Sequence, residues 1–317
     1  MGNNTNITLG LPKENFLFRK TSLCFVLITS VFGNVLLLAL LIRIRGFRLL
    51  VSKLVLNMTL CNLLLVIIWI PVDLHLLFNS SNKFPLASFG CKTLPAIATC
   101  CYTASIFTLV AIAFERWYAI TRPFKAAMGK ARVQSTFLWI YFVTFPCVYP
   151  VFHASSLATN GECYENMSLK YRQMYTLCLF GVQYIFPVLI MTFLYTMSWK
   201  KHFSSRKVFP RLEAGSSSVS EGNAKNSNYL MHRRLKQNFE LLKTFTAIVV
   251  IFIITALPIQ VLWILVDFTN HSWPMMLSDM ISITKYANCV VNPWLYGRLN
   301  KNFRKDFKQL ILNHRRT

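Results

Sequence analysis

Seven apolar stretches, each near the roughly 20 residues that a helix needs to cross a bilayer, run through the 317-residue chain. They fall at about 22–44, 53–78, 90–121, 133–153, 172–200, 239–267 and 276–297. Backbone amides and carbonyls have no water to bond with in hydrocarbon, so spans of this kind form helices. The predicted fold is therefore an all-α membrane protein, a bundle of seven transmembrane helices. Mean hydropathy is +0.44 with 54% hydrophobic and only 14% charged residues, more apolar surface than a soluble domain of this length could hide. The third, fifth and sixth spans exceed the hydrocarbon thickness and should tilt or project into the cytosol. The first 20 residues hold Lys13, Glu14, Arg19 and Lys20 and lack a long apolar core, so no cleavable signal peptide is expected.

Charge sets the orientation. With the N-terminus outside, the inner loops, helix ends and tail hold 26 of the 34 basic residues and five of the 11 acidic ones, +21 of the net +23. Anchoring at anionic lipid explains this excess, and nucleic-acid binding is not needed. Five glycosylation sequons, at Asn3, Asn6, Asn79, Asn166 and Asn270, then land outside, while Asn57-Met58-Thr59 lies within a span and should stay unmodified.

Residues 1–21 form an outer N-terminal segment and 22–297 the membrane domain, with one long inner loop at about 201–238. That loop is polar enough to predict a disordered centre between helical continuations of spans five and six. In 298–317, Phe303, Phe307, Leu310 and Ile311 share one helical face among Lys301, Arg304, Lys305 and Lys308, which predicts a short amphipathic eighth helix on the cytosolic membrane surface. Seven of the nine cysteines lie in apolar spans; Cys91 and Cys163 alone face the oxidising side and are predicted to form a disulfide. The six histidines are scattered, no metal-ligand spacing occurs and no paired carboxylates stand at catalytic distance, so neither an enzyme nor a cofactor or metal site is expected. A transporter's related halves and broken midplane helices are not visible.

Landmarks in each span are similar to those of rhodopsin-like, class A, G-protein-coupled receptors. They are Gly33-Asn34; Leu56-Asn57 through Asn62-Leu63; Cys91 and Glu115-Arg116-Trp117; Trp139; Pro187 and Tyr195; Phe252 and Pro258; and Asn292-Pro293-Trp294-Leu295-Tyr296. The resemblance covers nearly the whole chain and implies a plasma-membrane receptor, with a heterotrimeric G protein, arrestin and receptor kinases as inner partners. On that reading Glu115, Arg116, Tyr195, Phe252, Pro258, Asn292, Pro293 and Tyr296 carry activation. A guanidinium at a membrane helix end needs a partner, and Glu115 is placed to hold Arg116 at rest.

Two departures from the family pattern bear on mechanism. Asn62 stands where an Asp is usual, which removes the anionic ligand for an internal sodium ion, so sodium regulation should be weak or absent. Ala256 replaces the usual Trp before Pro258, leaving coupling to side chains such as Gln260, Trp263 or Phe107, with elevated basal activity one consequence.

Ala98 replaces the acid that amine receptors place in span three, and Tyr286 stands where opsins carry a retinal-binding Lys; both argue against those ligands. Lys285 has two readings, an ion pair with Asp73 or a ligand contact. Asp73, Glu162, Glu165, Asp267 and Asp279 make the outer mouth comparatively acidic. Glu165, two residues after Cys163, and Asp267, nine after Pro258, are placed similarly to acids in receptors of the neuropeptide FF and neuropeptide Y kinds. Those receptors take peptides ending in arginine-aromatic-amide, and a carboxylate can grip a ligand guanidinium bidentately. Tyr102, Tyr175, Gln183, Gln260, Trp263 and Tyr286 are further candidates for the pocket or for packing between helices. A receptor for a non-peptide small molecule, or a constitutively active receptor, is the alternative reading.

Overall fold

A computed structural model describes residues 13–43, 50–78, 83–122, 130–215, 221–269, 284–299 and 304; for 13–16, 43, 130, 205–215, 221–237 and 299 it describes the backbone alone. The helices are α1 (Lys13–Arg43), α2 (Leu50–Phe78), α3 (Ala87–Thr121), α4 (Lys130–Ala154), α5 (Leu169–Phe180), α6 (Phe186–Gly215), α7 (Glu221–Phe268) and α8 (Ala287–Leu299). A π-helical turn, Gly181–Ile185, joins α5 to α6 into the fifth span, and a 3-10 turn, Thr284–Tyr286, leads into α8, the seventh.

Among the described residues, six helical spans are long and apolar enough to cross a membrane by themselves. The predicted seventh begins at 276, outside the described residues, and its described part is α8 with the preceding turn. Both α6 and α7 continue well past the apolar segments that end and begin near Ser204 and Asn238, as the length of spans five and six required. The centre of the inner loop (216–220), most of the amphipathic tail and four of the five outer sequons fall outside the described residues. Asn166, the described one, follows the outer hairpin and is exposed.

The core is organised around α3. Every residue from Thr103 to Ala113 is buried, the signature of a helix wrapped on all sides. Around it α2, α4, α6 and α7 bury one stripe each and turn large apolar side chains such as Ile67, Phe142 and Phe193 outward to the lipid. With hydrocarbon outside, apolar burial adds little, and small residues and polar bonds position the helices. At Gly33 a Cβ would come within 2.9 Å of Pro293 Cγ, so only glycine allows α1 and α8 to approach this closely. Asn57 donates to Thr108 Oγ1 at 2.9 Å and accepts from the Tyr141 hydroxyl at 2.8 Å, tying α2, α3 and α4. Its side chain is thereby committed inside the bundle, consistent with its place in a span.

Outside the membrane layer the chain adds a hairpin that hydropathy gave no sign of. Strands β1 (Ser155–Leu157) and β2 (Cys163–Glu165) pair antiparallel, with Ser155 opposite Glu165 and Leu157 opposite Cys163. The predicted Cys91–Cys163 disulfide is present and fastens β2 to the outer end of α3.

Candidate functional site: an acidic outer mouth and a polar inner joint

Three polar groupings run down the bundle, beginning at the outer mouth. On α7 the stripe Phe252, Ala256, Gln260, Trp263 and Asp267 recurs at three- and four-residue spacing and faces the core, opposite Val250, Ile254, Leu257 and Val261 on the lipid side. Trp263 lies on that inward stripe yet is 56% exposed, so its indole looks into the open mouth. Asp267, on the same stripe, is buried and engaged. Arg172 Nε lies 2.9 Å from Oδ1 as an ion pair without hydrogen-bond alignment. The Thr176 hydroxyl donates to Oδ2, and the Gln173 amide donates to the backbone carbonyl at 3.0 Å. Glu165, carried by the pinned hairpin, remains exposed. Although the residue reaches solvent, the protein packed around its carboxyl thins the water there, and this desolvation, then the Asp267 charge, push it above the ordinary glutamate range, with Arg172 offsetting this in part.

Sequence reasoning singled out the two acids but not Arg172, Gln173 or Thr176. The available signal was their spacing on the first turns of α5, where residues three and four apart share a face.

The second grouping lies between α2 and the start of the seventh span. Lys285 Nζ is 3.2 Å from Asp73 Oδ2, and the Tyr286 hydroxyl donates to the same oxygen at 2.6 Å. The ammonium also lies over the rings of Trp69 and Tyr286, at 5.5 and 4.7 Å from their centroids. The Asp73 pairing considered from sequence is thus present, and Tyr286, fully buried, serves the same carboxylate. Three further pocket candidates hold the helices together. Gln183, inside the π-turn, donates to Thr103 Oγ1 at 2.8 Å and accepts from Gln260 at 3.3 Å, while the Tyr175 hydroxyl donates to the Cys147 carbonyl of α4. Tyr102 keeps a buried hydroxyl with no hydrogen bond.

Below them sits a cavity of about 10 Å3 lined by Asn62, Ser105, Asn288, Lys285 and Phe252 among others. That is room for about one water. Ser105 donates to Asn62 Oδ1 at 3.1 Å, whereas Asn62 Nδ2 and Asn288 Oδ1 are buried without a protein partner, the kind of groups a buried water serves.

The third grouping is the inner joint. Arg116 is 6% exposed, and its Nε donates to Glu115 Oε2 at 2.6 Å. Tyr195, the residue to which a released Arg116 could turn, is buried with an unpaired hydroxyl. Asn292 donates to Met58 Sδ at 3.7 Å, Asn34 Nδ2 donates to the Ser30 and Cys289 carbonyls at 2.8 Å, and the Tyr296 ring packs 6.0 Å from Phe245 of α7. Phe252 is fully buried beside Tyr184.

The model of the 7 transmembrane receptor (rhodopsin family) matches residues 33–296, from Gly33 at the α1–α8 contact to Tyr296. The chain belongs to the rhodopsin family of seven-transmembrane receptors. As a member of that family it is a receptor and not an enzyme. The receptor is 24% identical over 302 residues to the QRFP-like peptide receptor of Branchiostoma floridae, covering 90% of this chain and 75% of that one. It is likewise 24% identical over 313 residues to neuropeptide FF receptor 2 of Mus musculus, covering 91% and 71%. It is 24% identical over 315 residues to neuropeptide Y receptor type 4-2 of Homo sapiens, covering 93% and 79%. Among solved structures squid rhodopsin superposes with a TM-score of 0.79 at 17% identity, covering 94% of this receptor and 86% of that chain, a likeness of fold.

Proposed function

We propose that this receptor binds an extracellular peptide, of the kind ending in arginine-aromatic-amide, and in response promotes nucleotide exchange on a heterotrimeric G protein. The observation that carries the reading is the open carboxylate of Glu165, held over the bundle by the Cys91–Cys163 bridge while Trp263 faces the same mouth. A guanidinium finds a charge-assisted partner there and an aromatic residue finds an indole. The names of the relatives, receptors for QRFP-like peptide, neuropeptide FF and neuropeptide Y, point the same way.

The charge asymmetry supports a plasma-membrane placement with the N-terminus and its sequons outside. Inside, the Glu115–Arg116 pair, the unpaired Tyr195 hydroxyl and the Asn292–Tyr296 segment support a partner socket that opens when α7 swings below Pro258. Arrestin and receptor kinases would meet the same inner face, and the tail would rest on lipid. Ligand binding shifts the population toward the open bundle by no more than its differential affinity for that state.

The test is a screen of amidated peptides against receptor-expressing cells carrying a promiscuous G protein. Peptide-dependent exchange is expected, with the hits weakened about tenfold or more by Glu165→Gln. Exchange no greater than in mock-transfected cells across arginine-aromatic-amide peptides would reject the reading.

A further inference from the structure

Glu165 and Asp267 are equivalent as letters in the sequence, two acids near the outer ends of their elements. The fold makes them unequal. Three side chains from one stretch of α5, Arg172, Gln173 and Thr176, all address the single residue Asp267 of α7. Arg172 and Thr176 stand one helical turn apart on one face and divide the two carboxylate oxygens between them. The Asp267 side chain is 7% exposed as a result, against 37% for that of Arg172. A ligand cation reaching Asp267 has to displace Arg172 and give up its own water to enter a site where the carboxylate is this enclosed, which is costly. Glu165 has an exposed side chain and needs no such displacement.

We infer that Arg172 is a specificity-determining residue: it occupies Asp267 from within the chain and leaves Glu165 as the carboxylate that meets a ligand cation. With Arg172 paired to Asp267, the charge of Glu165 is the one in this cluster that remains to be matched. The mouth is therefore fitted to a ligand presenting one basic group at its amidated end, and a second basic group gains little. This rests on the peptide reading above and adds what sets the charge the ligand must carry.

The experiment uses the full-length receptor in membranes and two synthetic probes, peptides ending in Arg-Phe-amide and in Arg-Arg-Phe-amide. The wild type should bind the two within about threefold of each other. Glu165→Gln should weaken the monobasic probe about tenfold or more, whereas Asp267→Asn combined with Arg172→Gln, which removes the clamp and keeps one negative charge in the cluster, should weaken it by less than about threefold. Arg172→Gln uncovers the Asp267 carboxylate and should make the dibasic probe preferred by about tenfold. Equal losses from Glu165→Gln and from the Asp267→Asn, Arg172→Gln pair, or an unchanged preference in Arg172→Gln alone, would overturn the assignment.

A ligand-free cycle reads the clamp by itself. In detergent-purified receptor, Arg172→Gln and Asp267→Asn should each lower the melting temperature, and the double variant should fall no further than the worse single one. Additive shifts would sink the clamp, whereas failure of both probes on every variant would sink the peptide reading and leave the clamp to the melting data.

Discussion

Glu165 bears the electrostatic cost of the mouth. Burial and the nearby Asp267 disfavour its ionised form, so it keeps a proton to higher pH than an ordinary glutamate. A cationic ligand binds the ionised form. Its affinity should therefore hold at neutral pH and fall as mildly acidic solution protonates the carboxyl, and Glu165→Gln should flatten that profile in a binding assay run across pH. Residues of this sort were legible in the sequence because a charge near a membrane span demands a reason. Asp73 and Lys285 drew notice on that ground, and their ion pair is in the structure. The part taken by Tyr286 was harder to see, because its neighbour Lys285 claimed the same carboxylate. Arg172 was invisible as a partner of Asp267 because 95 positions separate them and only the packing of α5 on α7 brings them together.

At the scale of elements, α7 is the helix most marked by its own sequence. Pro258 has no backbone N–H to give to the turn before it. The carbonyl left without its intrahelical donor is that of Ile254, and beside it the Tyr184 hydroxyl, from the π-turn of the fifth span, donates to the Ile253 carbonyl at 3.0 Å. The bond ties the fifth span to α7 next to its proline. Tyr184→Phe removes this bond between the spans, which should cost about 1 kcal/mol and appear as a lower melting temperature with ligand affinity little changed. The spans themselves, the proline and the long inner extensions of α6 and α7 could be read from hydropathy, because lipid imposes both length and composition. The π-turn could not, since one extra residue in a helical turn leaves the apolar pattern nearly intact. Nor could β1 and β2, whose three-residue strands are too short to show alternation.

Across the whole molecule, the inner joint and the outer mouth share α7. The resting bundle holds Arg116 on Glu115 and buries Tyr195 with its hydroxyl unpaired, a cost that a rearranged inner face can relieve. Tyr296 packs against Phe245 of the same helix. Tyr296→Ala should therefore lower agonist-driven nucleotide exchange about tenfold or more while ligand affinity stays within about threefold, measured in parallel on one membrane preparation.

The disulfide gives this arrangement a geometric meaning. Through Cys163 the hairpin carrying Glu165 is fixed to α3, the helix buried on every side, whereas Trp263 rides on α7 beyond its proline. In the proposed opening α7 pivots at Pro258, so the outer arm that carries Trp263 shifts as the inner arm swings, while the hairpin stays with α3. A ligand that touches both works like an object in a caliper, and the spacing between its cationic and aromatic groups selects how far the jaws stand apart. Two peptides with identical contacts but unequal reach would then differ in efficacy while matching in affinity.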